Sequence, residues 1–230
     1  MMHGTRFLSI TLPTILLLSA CSSDKRVGGT IVMSSAADAD ILFPPLTLSL
    51  QGKQVVDQVF DNLADIGPQL NTVGDAGFKP RLADRWQWGR DSMFVAFHIN
   101  PSARWHDGKA VTSEDVKYTF QLVKDTSLAS PLASNLDNVD SVSVPDSLTA
   151  VVWFHRRTPD AFFKAASPVV ILPSHLLRNT SPATLHEAAF ARAPVGSGRF
   201  RFSAWDRTSR IVLVADSANY RGRPNADRAI

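Results

Sequence analysis

Trp105-His106-Asp107-Gly108-Lys109-Ala110-Val111-Thr112-Ser113-Glu114-Asp115-Val116 sets a tight turn directly before a helix start. Asp-Gly after an extended run is a turn signal, because glycine takes the backbone angles of a reversal without steric cost. Thr112 is a good N-cap, and Glu114 and Asp115 fall in the first turn, where the helix dipole favours negative charge. Val116, Phe120 and Val123 then mark one apolar helix face. Just upstream, Phe94, Ala96 and His98 alternate with Val95, Phe97 and Ile99. That pattern predicts a strand covered on both faces.

On the N-terminal side, Gly28-Gly29-Thr30 opens an apolar strand signal, Ile31-Val32-Met33, which runs into Ser34-Ser35-Ala36-Ala37. Small residues at a strand end leave room for something to approach the backbone; a plain loop of small residues fits the same letters. Asp38 to Leu50, with Pro44-Pro45, reads as an irregular crossing segment. From Gln54 the period becomes helical, with Val55, Val56, Val59, Phe60 and Leu63 on one face. Gly67 to Gly77 is a loop, and Leu82 to Trp86 leads into a strand. Beyond the central helix, Asp125 to Asn138 is a polar loop and Leu148 to Phe154 a strand. Thr158-Pro159-Asp160 and Ser181-Pro182 are helix starts. The chain returns to β at Arg199–Phe202, turns over Asp206–Ser209, and continues through Ile211–Val214. Strands and helices mix without strict alternation and without an internal repeat, which predicts an α/β or α+β chain with a mixed sheet.

The 230 residues are 44% hydrophobic and 20% charged, a globular composition that excludes a disordered tail. One cysteine excludes a disulfide framework and a cysteine-rich zinc site. A net charge of +3, evenly spread, gives no nucleic-acid footprint. Residues 1–20 carry one strong charge, Arg6, then an apolar run from Phe7 through Leu18 that is too short to span a bilayer. Leu18-Ser19-Ala20-Cys21 follows, an aliphatic residue and two small ones before the single cysteine. This matches the bacterial lipoprotein signal, with Cys21 as the lipidation site and residues 1–20 removed. Dual acylation would then anchor the chain stably to a membrane. Aspartate after the cysteine is the usual inner-membrane retention signal; Ser22 stands there, so the choice of membrane stays open.

No phosphate-cradling glycine motif, dinucleotide fingerprint, zinc-protease helix or nucleophile elbow is present. His98 and His106 lack metal-ligand spacing, and His106-Asp107 are turn neighbours whose side chains point apart. Gly196-Ser197-Gly198 reads as a flexible turn into the next strand. Arg199 to Arg228 carries seven arginines against three aspartates, fitting a solvated face more often than a membrane contact. The five tryptophans flank predicted strands and suit core or rim packing better than ligand stacking. Composition, spacing and periodicity thus describe a secreted, tethered globular chain with no visible active site or cofactor site. They do not supply a function.

The order of several segments does. Gly28-Gly29-Thr30-Ile31-Val32 with Ala36-Ala37-Asp38, Val59-Phe60-Asp61-Asn62-Leu63, Lys79-Pro80-Arg81-Leu82-Ala83-Asp84-Arg85-Trp86, the Trp105–Val116 stretch, Pro194-Val195-Gly196-Ser197-Gly198-Arg199-Phe200 and Asn219-Tyr220-Arg221-Gly222-Arg223-Pro224 follow one another along the chain. In this order they resemble the extracellular solute-binding proteins of family 5, the peptide- and nickel-binding components of ABC importers. The family usually has Thr where Ser197 stands and Trp where Arg221 stands, departures that leave the fold intact.

The resemblance implies a type II periplasmic-binding-protein-like α/β fold with a mixed sheet and an extra inserted domain. A first lobe is expected from residues 21–52 and 166–230, and a smaller α/β domain from 53–165. Family members are about twice as long, with a second ligand lobe that closes by a hinge. The chain is therefore expected to be an N-terminal portion, incompetent to bind alone. The resemblance implies capture of oligopeptides or dipeptides by strand addition to an exposed edge. Ser34, Ser35 and Ala36 are the expected edge, with Leu48 and Gln51 nearby. It also implies ABC permease subunits as partners and a periplasmic or cell-surface location; since the residues show no nucleophile or metal constellation and no basic cluster, no catalytic activity, cofactor, resident metal or nucleic-acid partner is expected. A nickel chelate, a sugar or another small solute remains an alternative ligand. So does a signalling or chaperone-like lipoprotein role without transport.

Overall fold

The computed structural model describes Met1 and residues 28–230; Cys21 and the rest of the expected signal segment lie outside the described residues. In chain order the elements are β1 (Thr30–Ile31), α1 (Leu50–Val59), β2 (Ala64–Ile66), β3 (Phe78–Pro80), β4 (Ala83–Trp88), β5 (Phe94–Ile99), α2 (Ser113–Lys124), β6 (Val139–Asp146), β7 (Thr149–Phe154), α3 (Ala161–Ala166), α4 (Ser174–Leu177), β8 (Phe200–Asp206), β9 (Arg210–Ala215) and β10 (Arg228–Ala229). Among the described residues they form two four-stranded sheets, ordered β1-β10-β9-β8 and β4-β5-β7-β6, and a β2-β3 ribbon. The first sheet is mixed, because β1 runs parallel to β10 while β9 is antiparallel to β10 and β8. The second is antiparallel throughout, with Phe97 opposite Trp86 on one side and Ala150 on the other.

The Trp105–Val116 stretch folds as its letters predict. Gly108 takes φ +89°, the left-handed angle that glycine reaches at little cost. Thr112 caps α2, and its backbone N–H donates to Asp115 Oδ2 at 2.9 Å, closing the first turn. Asp115 does more than answer the dipole. It is 3% exposed, and it accepts from the Trp105 indole at 3.3 Å and the Ser174 amide at 2.9 Å. One buried carboxylate therefore fixes the turn, the helix start and the start of α4. Val116, Phe120 and Val123 are buried as the periodicity requires.

Two apolar cores result. One lies between the antiparallel sheet, α2 and α3, with Phe162 against Phe78, Trp86 and Phe97 at ring separations of 4.7, 4.9 and 5.4 Å. The other gathers Val56 and Val59 of α1, Phe43, Phe60, Leu172, Phe200 and Leu213.

Several expectations fall differently. β5 is not equally covered: Val95, Phe97 and Ile99 are fully buried, whereas Phe94, Ala96 and His98 are half-exposed. Among the described residues the sheet has a core on one side only, so apolar letters on the other face do not find one. Ile31, Val32 and Met33, read as a strand signal, contribute only Ile31 to the two-residue β1 and are exposed. α1 begins at Leu50, four residues before the helical period shows, because Ser49 caps it and accepts from the Gly52 amide at 3.1 Å. It ends at Val59, so Phe60 and Leu63 are buried beyond the helix. β6 gave no signal, since its burial is confined largely to Val139 at one end. The start at Ser181-Pro182 opens only a 3₁₀ turn, Pro182–Thr184.

Candidate functional site

The end of β1 opens on a groove of about 570 Å³. One wall is the stretch 32–39, a second is Gln51, Gln54 and Val55 of α1, and a third is the β8–β9 hairpin tip, Thr208–Arg210. Ile211, Leu213 and Ala229 contribute apolar surface from β9 and β10. Ser34, Ser35, Ala36 and Gln51 all line this groove, whereas Leu48 does not: it lies exposed just before α1.

β1 is the outer strand of its sheet. Its pairing extends through Met33 N–H to Ile230 O at 2.7 Å and Ile230 N–H to Ile31 O at 2.9 Å. Past Met33 the pairing stops, and the backbone groups of 34–36 have no backbone partner among the described residues. Ser35 Oγ donates to Ala37 O at 3.0 Å, a local turn that leaves those groups open. An exposed edge of this kind can accept an extended chain by main-chain hydrogen bonds.

Two aspartates in the segment read as an irregular crossing hold the groove's walls. Asp38 accepts from the Trp205 indole at 2.9 Å and the Thr208 amide at 3.0 Å, tying the hairpin tip to the 34–39 stretch. The Thr208 amide, with the Trp205 indole and the Ala39 amide, keeps the Asp38 carboxyl below its usual range despite some desolvation. Arg207 stacks over the Trp205 ring at 3.8 Å and completes this corner. Asp40 accepts from the Leu48 amide at 2.8 Å, the Ser49 amide at 3.1 Å and the Ser49 hydroxyl at 2.6 Å. Desolvation pulls its carboxyl upward, but these donors and the Ile41 amide outweigh it and bring it to about 2. The start of α1, and with it Gln51, is thereby fixed.

A third missed aspartate organises the rest. Asp61 is fully buried and accepts from Arg81 Nε at 2.8 Å, Arg221 at 2.5 Å, Ser197 Oγ at 3.1 Å and Tyr220 OH at 2.9 Å. It joins the end of α1 to the β3–β4 connection and to the two segments flanking β8 and β9. Desolvation opposes charge on Arg81, yet the Asp61 carboxylate holds its pKa above the ordinary value. Burial, followed by Asp61, pushes the Tyr220 phenol far up, so it stays a donor. The 196–198 turn is not flexible, as its glycines suggested. A Cβ on Gly196 would stand 1.8 Å from Val59 O, and one on Gly198 2.3 Å from Gln58 O. The glycines are there for close approach to the end of α1, and Ser197 is fully buried between them.

His106 and Asp107 do point apart: His106 bonds to Gly198 O at 2.9 Å, and Asp107 pairs with His175 at 2.7 Å. Among the described residues no group of three His, Cys, Asp or Glu converges to hold a metal, and no helix is long and apolar enough to cross a membrane. Of the arginine-rich tail, Arg201, Arg210, Arg221 and Arg223 pair with Asp216, Asp206, Asp61 and Asp227, and Arg199 donates to the carbonyls of Gly222 and Arg223. Trp105 is buried in the core, as expected for most of the tryptophans; Trp153 is 37% exposed.

Comparison with known proteins gives the chain's relatives. The chain is 24% identical over 234 residues to the oligopeptide-binding protein AppA of Bacillus subtilis, covering 96% of this chain and 42% of that one. It is 30% identical over 193 residues to the peptidoglycan-binding protein YepA of Agrobacterium fabrum, covering 82% and 31%. The structure of AppA in complex with a nonapeptide superposes with a TM-score of 0.81 at 23% identity, over 89% of this chain and 40% of that one. NikZ of Campylobacter jejuni, solved with Ni(L-His), superposes with a TM-score of 0.74 at 22% identity, over 89% and 38%. The fold is therefore that of the type II periplasmic binding proteins, and the chain spans between 29% and 42% of the length of the curated relatives it matches. Residues 77–230 match the model of the bacterial extracellular solute-binding proteins, family 5 Middle, a family of binding proteins rather than enzymes, and to that family this chain belongs.

Proposed function

We propose that the chain forms one wall of the solute cleft of an ABC importer's binding protein for peptides, with Ser34, Ser35, Ala36 and Gln51 at the ligand edge. The carrying observation is the backbone of 34–36, unpaired among the described residues at the mouth of a groove of about 570 Å³. Main-chain pairing there would give affinity with little side-chain selectivity. Leu48, exposed beside the start of α1, would meet ligand only from outside the groove. AppA, which shares the fold, was solved with a nonapeptide.

The same reading divides the chain into a first lobe from 21–52 and 166–230 and an inserted domain from 53–165. Two separate apolar cores accompany such a division without following its bounds: the 52/53 boundary falls inside α1, which packs with β8, and Leu122 and Leu128 join the core of Phe200 and Leu213 while Val169 and Ile171 join the other. Cys21 would carry the lipid anchor at the periplasmic or cell-surface face of a membrane, and permease subunits would receive the solute. Closure over a peptide needs a second wall, so residues 22–230 alone should bind peptide mixtures weakly. Calorimetry and amide exchange test this. Millimolar-range binding that protects the amides of 34–36 supports the reading; micromolar affinity contradicts the need for a second wall, and protection confined elsewhere contradicts the edge.

A further inference from the structure

His106 stands between the two sheet units, in the turn before α2, with its ring against the 196–198 turn that feeds β8. Both ring nitrogens face the backbone. Nε2 lies 2.9 Å from Gly198 O, a group that only accepts, so Nε2 carries the proton and donates. The Gly196 N–H donates to Nδ1 at 3.2 Å, so Nδ1 must be bare. The two contacts together select one neutral tautomer and exclude the imidazolium, whose Nδ1–H would meet the Gly196 N–H head-on. A third bond, His106 N–H to Gly196 O at 2.8 Å, holds the same turn.

We propose that His106 is an acid-released latch: it clamps the 196–198 turn to the 105–108 turn only while Nδ1 carries no proton. The turn it holds has little freedom of its own. Gly196 and Gly198 lie against the Val59 and Gln58 carbonyls, and Gly198 N–H donates to Val59 O at 2.8 Å. Losing the Gly196 contact therefore transmits to the end of α1 and to the entry of β8. Charged groups of both signs surround the ring. Arg201 donates to His106 O at 3.0 Å and opposes a second positive charge, whereas Asp216, paired with Arg201, and the buried Asp61 favour one. Asp107 and His175 pair with each other beside it, and Lys109 follows in the same turn. Burial is the largest influence and prevails, moving the imidazole below its ordinary value. The contact is then intact above the unfolded-state histidine pKa of about 6.5 and is lost as pH falls through the lower folded-state value.

The test uses the full 230-residue chain labelled with nitrogen-15. Long-range proton–nitrogen spectra of the imidazoles should show His106 as the neutral Nε2–H tautomer at about pH 7.5, and less protonated at about pH 6.5 than an unperturbed histidine, which is half protonated there. On going to about pH 5, the amides of Gly196 and Gly198 should lose roughly 10-fold more protection than in His106→Gln, whose amide keeps a donor and cannot titrate. A charged His106 at neutral pH, an Nδ1–H tautomer, or equal loss of protection in both proteins would overturn the latch. If His106→Gln does not fold, the tautomer and titration in the unsubstituted chain decide alone.

Discussion

Replacing Asp61 with asparagine removes one negative charge and almost no volume from a fully buried site. Arg81 and Arg221 then face each other without their shared carboxylate, while Ser197 and Tyr220 can still bond to the amide. Removing one partner of a buried ion pair costs about 3–5 kcal/mol, mostly because the other charge is stranded. Here the stranded cations are not fully cut off. The Arg81 and Arg221 side chains are 15% and 26% exposed, and Arg81 keeps Asp65 at 2.7 Å. The lower end applies, about 3 kcal/mol, against a total stability on the order of 5–15 kcal/mol. For a chain of this size that lowers the melting temperature by about 6–12 °C. Circular dichroism melts and urea unfolding of wild type and Asp61→Asn measure it. A second arm adds Arg221→Met. Arg221 Nε is buried without a hydrogen-bond partner, so removing that side chain relieves a cost already present. The double variant should be no less stable than Asp61→Asn alone. A drop below about 2 °C for the single variant, or strictly additive losses in the double, would refute the hub.

Other positions can be tested independently. Gly196→Ala puts a methyl 1.8 Å from Val59 O, and the turn must move; urea unfolding should show a loss of about 1–3 kcal/mol or more, and a change within about 0.5 kcal/mol would show that the close approach is not required. Asp40→Asn removes a carboxylate held at about 2 against an ordinary 3.8. Its lowered value means stability that is present above 3.8 and lost as pH falls through about 2. Taken at face value that is about 2.4 kcal/mol, reduced by solvent screening at this exposed site to about 1 kcal/mol at neutral pH. The gap between wild type and variant should close on acidification, and a gap that persists at about pH 2 would contradict the assignment. Cys21→Ser should abolish palmitate labelling and move the protein from the membrane to the soluble fraction; labelling that survives would exclude the lipid anchor.

Local information reached far in some stretches and failed in others for definable reasons. The Trp105–Val116 turn and cap, the loop between β2 and β3, the β8–β9 hairpin and the buried face of α2 are short-range: neighbours in sequence decide them through backbone angles, capping and period. The succession of segments was enough to identify the family. Asp38, Asp40 and Asp61 carried no such signal, because an aspartate's letter is the same whether it meets water or two arginines. For two of them the partners lie far along the chain, Trp205 for Asp38 and Arg221 for Asp61, and only folding brings them within 3 Å. The groove depends on the same fact. The small residues of 34–36 suggested an accessible backbone, but that this backbone stays unpaired among the described residues, and that α1 and the hairpin tip wall it in, follows from β1 lying at the edge of the sheet these residues form. Edge position is a property of the assembled sheet, since it depends on which strand pairs with which, and no single segment encodes it.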